Sequence, residues 1–300
     1  MKITVLGSGT AIPDRERGSP GIAVRSGDTL LFLDLGSGSL YRAARFGIEV
    51  RCLDGVLLSH LHPDHTGDLV PLLFAFRNPE WPREGALSLF GPTGLLEFLR
   101  DLETTYGPWV AAEGYQREEK VLPSGSSSLK GVLVSACPVR HGPAAIAYEI
   151  KDGGGRRLVY SGDTEYCDEL AVFAKDADLL VLECSFPEGA DRPGHLTPSG
   201  AGRIAGQARC RRLLLTHFGA FEDVERHLDE LETRLDCWLE VAEGVVADGG
   251  DTARLAAELT AVTDDDMAAA SVPPGAAERY RHLCPMGGNS AGLFRYVKGK

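Results

Sequence analysis

The chain has 300 residues, 25% of them charged and 43% hydrophobic, enough for one large domain or a domain with an appendage, and no apolar run approaches the ~18 residues of a membrane span. Its formal charge of −12, with no Lys/Arg run longer than Arg156-Arg157 or Arg211-Arg212, argues against broad nucleic-acid binding, which draws most of its affinity from neutralising phosphates. Seven cysteines (52, 137, 167, 184, 210, 237 and 284) lie scattered with no C-x-x-C pair, which points to reduced thiols of a cytoplasmic protein and away from a disulfide framework.

The N-terminal Met1-Lys2-Ile3-Thr4-Val5-Leu6 is too short in its apolar part for a secretion signal and reads as a first strand. Apolar segments bounded by turn residues predict strands at 2–6, 22–25, 30–34, 55–58, 86–90, 132–137, 144–150, 157–161, 179–183 and 212–216. Asp152-Gly153-Gly154-Gly155 reads as a hairpin connector. Helical periodicity covers about 40–46, 68–76, 93–104, 167–174 and 198–208, the last with Thr197 as cap and Pro198 at the first helical position. Strands and helices interleaved in this way predict an α/β chain of sheets covered by helices. Gly7-Ser8-Gly9 lacks the residues of a phosphate loop or a dinucleotide fingerprint and reads as a tight turn.

From about residue 221 the texture changes. Segments 223–243, 251–261 and 276–283 read as helices, separated by Asp264-Asp265-Asp266 and by Val272-Pro273-Pro274-Gly275. The chain therefore divides into residues 1–220 and a helical C-terminal extension, 221–300, which serves as a lid, as a dimerisation surface or simply as packing on the core.

The chemistry concentrates in Ser59-His60-Leu61-His62-Pro63-Asp64-His65-Thr66-Gly67-Asp68, directly after the apolar segment 55–58. Neutral imidazoles and a carboxylate are ligands for zinc and its neighbours, and an H-x-H-x-D-H cluster can serve two metals. His141, Asp163 and His217 each follow a predicted strand as well, so four separate segments deliver ligand-type side chains. Glu183 ends the buried run 179–182, where a carboxylate is costly unless paired or functional. A solvated strand end for Glu183 and a helix-entry residue for His195 are the plainer alternatives.

In these features the chain resembles the metallo-β-lactamase superfamily, and within it the ribonuclease Z group. The resemblance covers about residues 3–218 and rests on Leu6-Gly7-Ser8-Gly9-Thr10-Ala11, Leu33-Asp34-Leu35-Gly36, the His60–Asp68 cluster and Phe90-Gly91-Pro92-Thr93-Gly94. It continues through Pro138-Val139-Arg140-His141-Gly142, Ser161-Gly162-Asp163-Thr164, Glu183, His195-Leu196-Thr197 and Leu214-Leu215-Thr216-His217-Phe218. It implies a four-layer αββα sandwich with two divalent metal ions at one edge; zinc suits the donors, and manganese and iron are compatible. His60, His62 and His141 would hold one metal, Asp64, His65 and His217 the other, with Asp163 bridging. Asp34 would support the ligand histidines, or else cap local backbone N–H groups.

The implied activity is hydrolysis of phosphodiesters by a hydroxide shared between the metals. Asp64 would accept a proton, and His195, paired with Glu183, would act on the phosphoryl or leaving oxygens. Only 21 residues (142–162) separate His141 from Asp163, enough for a hairpin but not for the RNA-gripping arm of true ribonuclease Z. A small or mid-sized ester substrate is therefore expected, with tight nucleic-acid binding doubtful. Transfer RNA 3′ processing is the alternative, with lactone or thioester hydrolysis a further one. The tail Gly292-Leu293-Phe294-Arg295-Tyr296 is similar to tails of general metallo-hydrolases of the superfamily. An iron oxidoreductase is disfavoured by the lack of a flavin or redox domain, and a non-catalytic binding role by the full set of ligands. A homodimer is common in that family, and the sequence leaves the assembly open.

Overall fold

The computed structural model describes residues 1–15, 17–83, 85–190 and 192–219, together with the backbone of Trp238–Val241 and Arg295–Lys298. Two sheets carry the fold. The first contains, in spatial and chain order, β1 (Lys2–Gly7), β2 (Gly21–Ser26), β3 (Thr29–Leu33), β4 (Gly55–Leu57), β5 (Leu87–Gly91) and β6 (Arg117–Val121). The second contains β7 (Gly125–Leu129), β8 (Val132–Val139), β9 (Ala145–Lys151), β10 (Arg157–Tyr160), β11 (Leu179–Glu183), β12 (Arg212–Thr216), β13 (Trp238–Val241) and β14 (Arg295–Lys298), with β14 at one edge and β7 at the other.

Alternation along the strands sends side chains to both faces, so each sheet feeds two cores. One core lies between the sheets and joins Ile3, Ile22 and Leu57 of the first to Val134, Tyr148, Val181 and Leu214 of the second. The outer face of the first sheet packs Phe32, Val56 and Leu89 on α1 (Ser39–Arg45), α3 (Leu69–Ala75) and α4 (Leu95–Tyr106), while the short α2 (Pro63–Thr66) lies in the loop after β4. The outer face of the second packs Val159, Leu180 and Leu213 on α5 (Asp168–Phe173) and α6 (Pro198–Ala208). The result is the expected αββα order of layers.

Strands β3 to β6 run parallel, as do β10 to β13. Parallel strands bring their C-terminal ends to one edge, the usual place for a site in such sheets. The antiparallel hairpin β9–β10 fills the gap between His141 and Asp163, turning at Asp152, which accepts from Gly155 N at 2.9 Å.

Three expectations change. Strands β6 and β7 were not among the predicted elements: Arg117-Glu118-Glu119-Lys120-Val121 is charged and Gly125-Ser126-Ser127-Ser128-Leu129 is polar, so neither shows an apolar face. The helix expected over 223–243 gives way at Trp238–Val241, which pairs in parallel with β12 and antiparallel with β14. Pairing to an open sheet edge overrides the local helical preference there. Residues 223–237 and 242–243 and the helices expected at 251–261 and 276–283 lie outside the described residues.

Candidate active site

Each candidate side chain leaves the end of a strand on the shared edge. The loop after β4 carries His60, His62, Asp64 and His65; β8 leads to His141, β10 to Asp163, β11 ends in Glu183, and β12 leads to His217. Asp34 (φ 54) and His217 (φ 59) hold left-handed backbone, which is uncommon outside glycine. A Cβ on Gly36 would lie 2.1 Å from the Asp64 carbonyl oxygen, and one on Gly162 (φ +58) 2.5 Å from the Ser59 Cβ. Glycine at both places lets neighbouring loops press against the histidine cluster.

The ligand-type atoms of His60, His62 and His141 lie within 4.8 Å of one another, and so do those of Asp64, His65 and His217. These are the two sets the sequence resemblance implied. Asp163 sits between them, its carboxylate oxygens 3.7 Å from His60 Nε2, 3.8 Å from His141 Nε2, 3.4 Å from His65 Nε2 and 3.5 Å from His217 Nδ1. Asp64 Oδ2 lies 3.7 Å from His65 Nε2 and 3.6 Å from His217 Nε2.

The hydrogen bonds behind the rings fix the tautomers. Ser59 Oγ donates to Asp34 Oδ2 (2.8 Å) and so accepts from His60 Nδ1 (3.0 Å). His65 Nδ1 donates to Asp34 Oδ2 (2.7 Å), and His141 Nδ1 to the Gly194 carbonyl (2.7 Å). Ser185 Oγ donates to Glu183 Oε2 (2.6 Å) and accepts from His217 Nδ1 (2.7 Å). With Nδ1–H engaged in all four rings, each Nε2 faces the common space and, in the neutral ring, offers it a lone pair, the arrangement that orients metal-binding histidines. His60 Nε2, His65 Nε2, His217 Nε2 and Asp163 Oδ1 are buried without a hydrogen-bond partner. Such atoms are costly to leave unmatched, and the donor set fits divalent cations.

The charges agree with that reading. Burial, with His65 nearby, pushes His60 down to about 3, leaving a neutral imidazole. For Asp64 burial acts upward, but the neighbouring His217 and His65 override it and bring the carboxyl to about 2. Asp163, also opposed by burial, is held well below the usual carboxylate range by His217 and His65. His65 moves the other way: burial would lower it, yet Asp163 and Asp34 raise it well above its ordinary value. A proton is therefore the competitor that a cation must displace from this ring.

Glu183, 1% exposed, receives Thr164 N (2.8 Å), Leu196 N (3.1 Å), Ser185 N (3.2 Å), Ser185 Oγ (2.6 Å) and His195 Nδ1 (3.0 Å). Full satisfaction explains how a carboxylate survives there. His195 stands half-buried beside the cluster, its ring stacked on His217 at 6.0 Å. Ser59, Ser185 and Tyr160, whose hydroxyl donates to Asp34 Oδ2 at 2.6 Å, were not singled out from the sequence, because a hydroxyl beside a strand end carries no distinguishing signal.

A family model described as "Beta-lactamase superfamily domain" matches residues 36–218. The chain belongs to the β-lactamase superfamily. "Probable metallo-hydrolase YhfI" of Bacillus subtilis (strain 168) is 33% identical over 235 residues, spanning 75% of this chain and 91% of that protein. The crystal structure of YhfI, a metallo-β-lactamase fold protein, superposes with a TM-score of 0.71 at 29% identity, covering 81% of this chain and 96% of the other. Ribonuclease Z of Mycobacterium bovis (strain BCG / Pasteur 1173P2) is 31% identical over 194 residues, 60% of this chain and 69% of the relative. Zinc-bound PqqB of Methylobacterium extorquens shares the fold at 18% identity, with a TM-score of 0.63 over 83% of this chain and 100% of the other. The chain is a metallo-hydrolase of the β-lactamase fold, a fold that implies divalent metals. The doubt about nucleic-acid binding raised by the acidic charge gains no support beside a relative that is a ribonuclease Z. Among the described residues no helix is long and apolar enough to cross a membrane.

Proposed function

We propose that the chain is a binuclear hydrolase of phosphodiester bonds, with residues 1–220 as the catalytic unit. His60, His62 and His141 would hold one divalent cation, Asp64, His65 and His217 the other, and Asp163 would bridge them, with zinc the metal best suited to the donors. Such a pair, when bound, supplies an acidified water and neutralises charge on the phosphoryl oxygens.

The chain's own groups do the rest. Asp64, a carboxylate with its pKa near 2, accepts a hydrogen bond from the attacking water and so orients it, taking the proton only in passing. His195 is held by Glu183 through Nδ1 at 3.0 Å, which leaves Nε2 to donate a proton to the leaving oxygen. Burial alone would lower the His195 pKa, and the Glu183 hydrogen bond raises it instead, which favours the donor form. Asp34 fixes His65 and, through Ser59, His60.

The buried Glu183–His195 pair beside the ligand cluster carries the phosphodiester assignment, since it offers a proton donor to an alkoxide expelled from phosphorus, which the thiolate of a thioester does not need. Bis-p-nitrophenyl phosphate, a lactone and a thioester assayed side by side on metal-loaded protein test it. Turnover confined to the lactone or thioester would overturn the reading. Transfer RNA 3′ processing is the second reading, favoured by the 31% identity to ribonuclease Z. Cleavage of precursor transfer RNA at its 3′ side would establish it.

A further inference from the structure

The rim beside His195 and His217 carries two arginines seated on aromatic rings. The Arg17 guanidinium carbon lies 5.3 Å from the centroid of Phe218, the residue after His217, and that of Arg192 lies 6.0 Å from the centroid of Phe186. Phe186 meets the His195 ring edge-on at 5.3 Å, and His195 stacks on His217 at 9°. Gly219 N donates to the Ser185 carbonyl (3.3 Å), which ties the segment after Phe218 to the one before Phe186. Both arginines therefore belong to the same side of the centre.

An aromatic bed takes one face of a guanidinium out of water while leaving its in-plane donors free. Neither arginine has a carboxylate partner among the described residues, and Arg17 Nε is shielded from solvent with no hydrogen-bond partner at all. Glu188, on the loop that carries Arg192, is engaged elsewhere by Ser199 N at 3.0 Å. That loop is closed at its base, where Phe186 N donates to the Leu196 carbonyl (3.3 Å), so Arg192 and His195 are carried on one small unit. In a chain of net charge −12, arginines without acid partners among the described residues, beside a hydrolytic centre, have donors to offer an anion.

We propose that Arg17 and Arg192 form an anion subsite on this rim, selecting phosphodiesters that carry a second phosphate next to the scissile one. This rests on the phosphodiester reading and adds a substrate class to it. The two substrates that test it share one scissile bond and one leaving group: thymidine 5′-(p-nitrophenyl phosphate) and the same ester bearing a 3′-phosphate. The metal-loaded chain should show a KM about tenfold lower for the 3′-phosphorylated ester, about the effect of one charge-assisted hydrogen bond. Arg192→Gln, at an exposed position, and Arg17→Lys, which keeps a stem over Phe218, should each cut that preference severalfold. No preference in the parent chain, or a preference that survives both substitutions, overturns the proposal. Should neither ester be hydrolysed, the phosphodiester reading fails. Calorimetric binding of thymidine 3′,5′-bisphosphate against thymidine 5′-phosphate then decides the subsite separately: an advantage lost in both variants supports it, and equal binding refutes it.

Discussion

At the residue scale the centre depends on groups that never touch substrate. Asp34 is fully buried and accepts from Ser59 N, Ser59 Oγ, His65 Nδ1 and the Tyr160 hydroxyl at 2.6–2.8 Å. Burial would raise its carboxyl pKa, but the His65 charge and hydrogen bond lower it, so Asp34 stays an anion among donors. Tyr160→Phe removes one donor to a buried carboxylate and should cost about 1–3 kcal/mol, read as a lower urea midpoint with unchanged m-value. His195→Ala should cut kcat by roughly 10²–10⁴-fold on a phosphodiester with an alkoxide leaving group, such as thymidylyl-(3′→5′)-thymidine, while bis-p-nitrophenyl phosphate, whose leaving group needs no proton, is largely spared and metal content stays at the parent level. Equal losses of metal and activity would refute a proton-donor role. Glu183 lifts the His195 pKa, so Glu183→Gln lets the ring lose its proton at lower pH. The alkaline limb of the pH–rate profile should therefore move to lower pH, and a limb that stays put would separate the two residues.

At the scale of elements, what could be read from the sequence was what water exclusion writes into it. The runs at 55–58, 157–161, 179–183 and 212–216 are apolar because both faces of their strands are covered, and their ends announce the candidate site positions. Strands β6 and β7 are sheet edges with exposed, polar side chains, so no periodicity betrays them. The strand at Trp238–Val241 owes its form to β12 on one side and β14 on the other, partners far away in the sequence. Removing residues 220–300 would turn β12 into an open edge. Such a truncated chain should melt several degrees lower and aggregate on heating, measured by calorimetry with light scattering; an unchanged melting temperature would show that β13 and β14 add nothing to the sheet.

At the scale of the whole molecule, seven ligand-type side chains from four distant strand ends converge on one edge of the sandwich. The positions of the clustered histidines and aspartates were legible because such clusters are conspicuous; the serines and Tyr160 behind them were not, because their meaning lies only in three-dimensional distance. Since His65 holds a proton tightly against Asp34 and Asp163, metal occupancy should fall as pH falls. The most direct measurement is the metal content of the purified chain by plasma mass spectrometry, taken with its melting temperature before and after chelation. Two divalent ions per chain are expected, with chelation lowering the melting temperature and metal at 100 times its Kd restoring about 2.7 kcal/mol per site. A fully active chain with no bound metal, or a melting curve indifferent to chelator, would contradict the central claim.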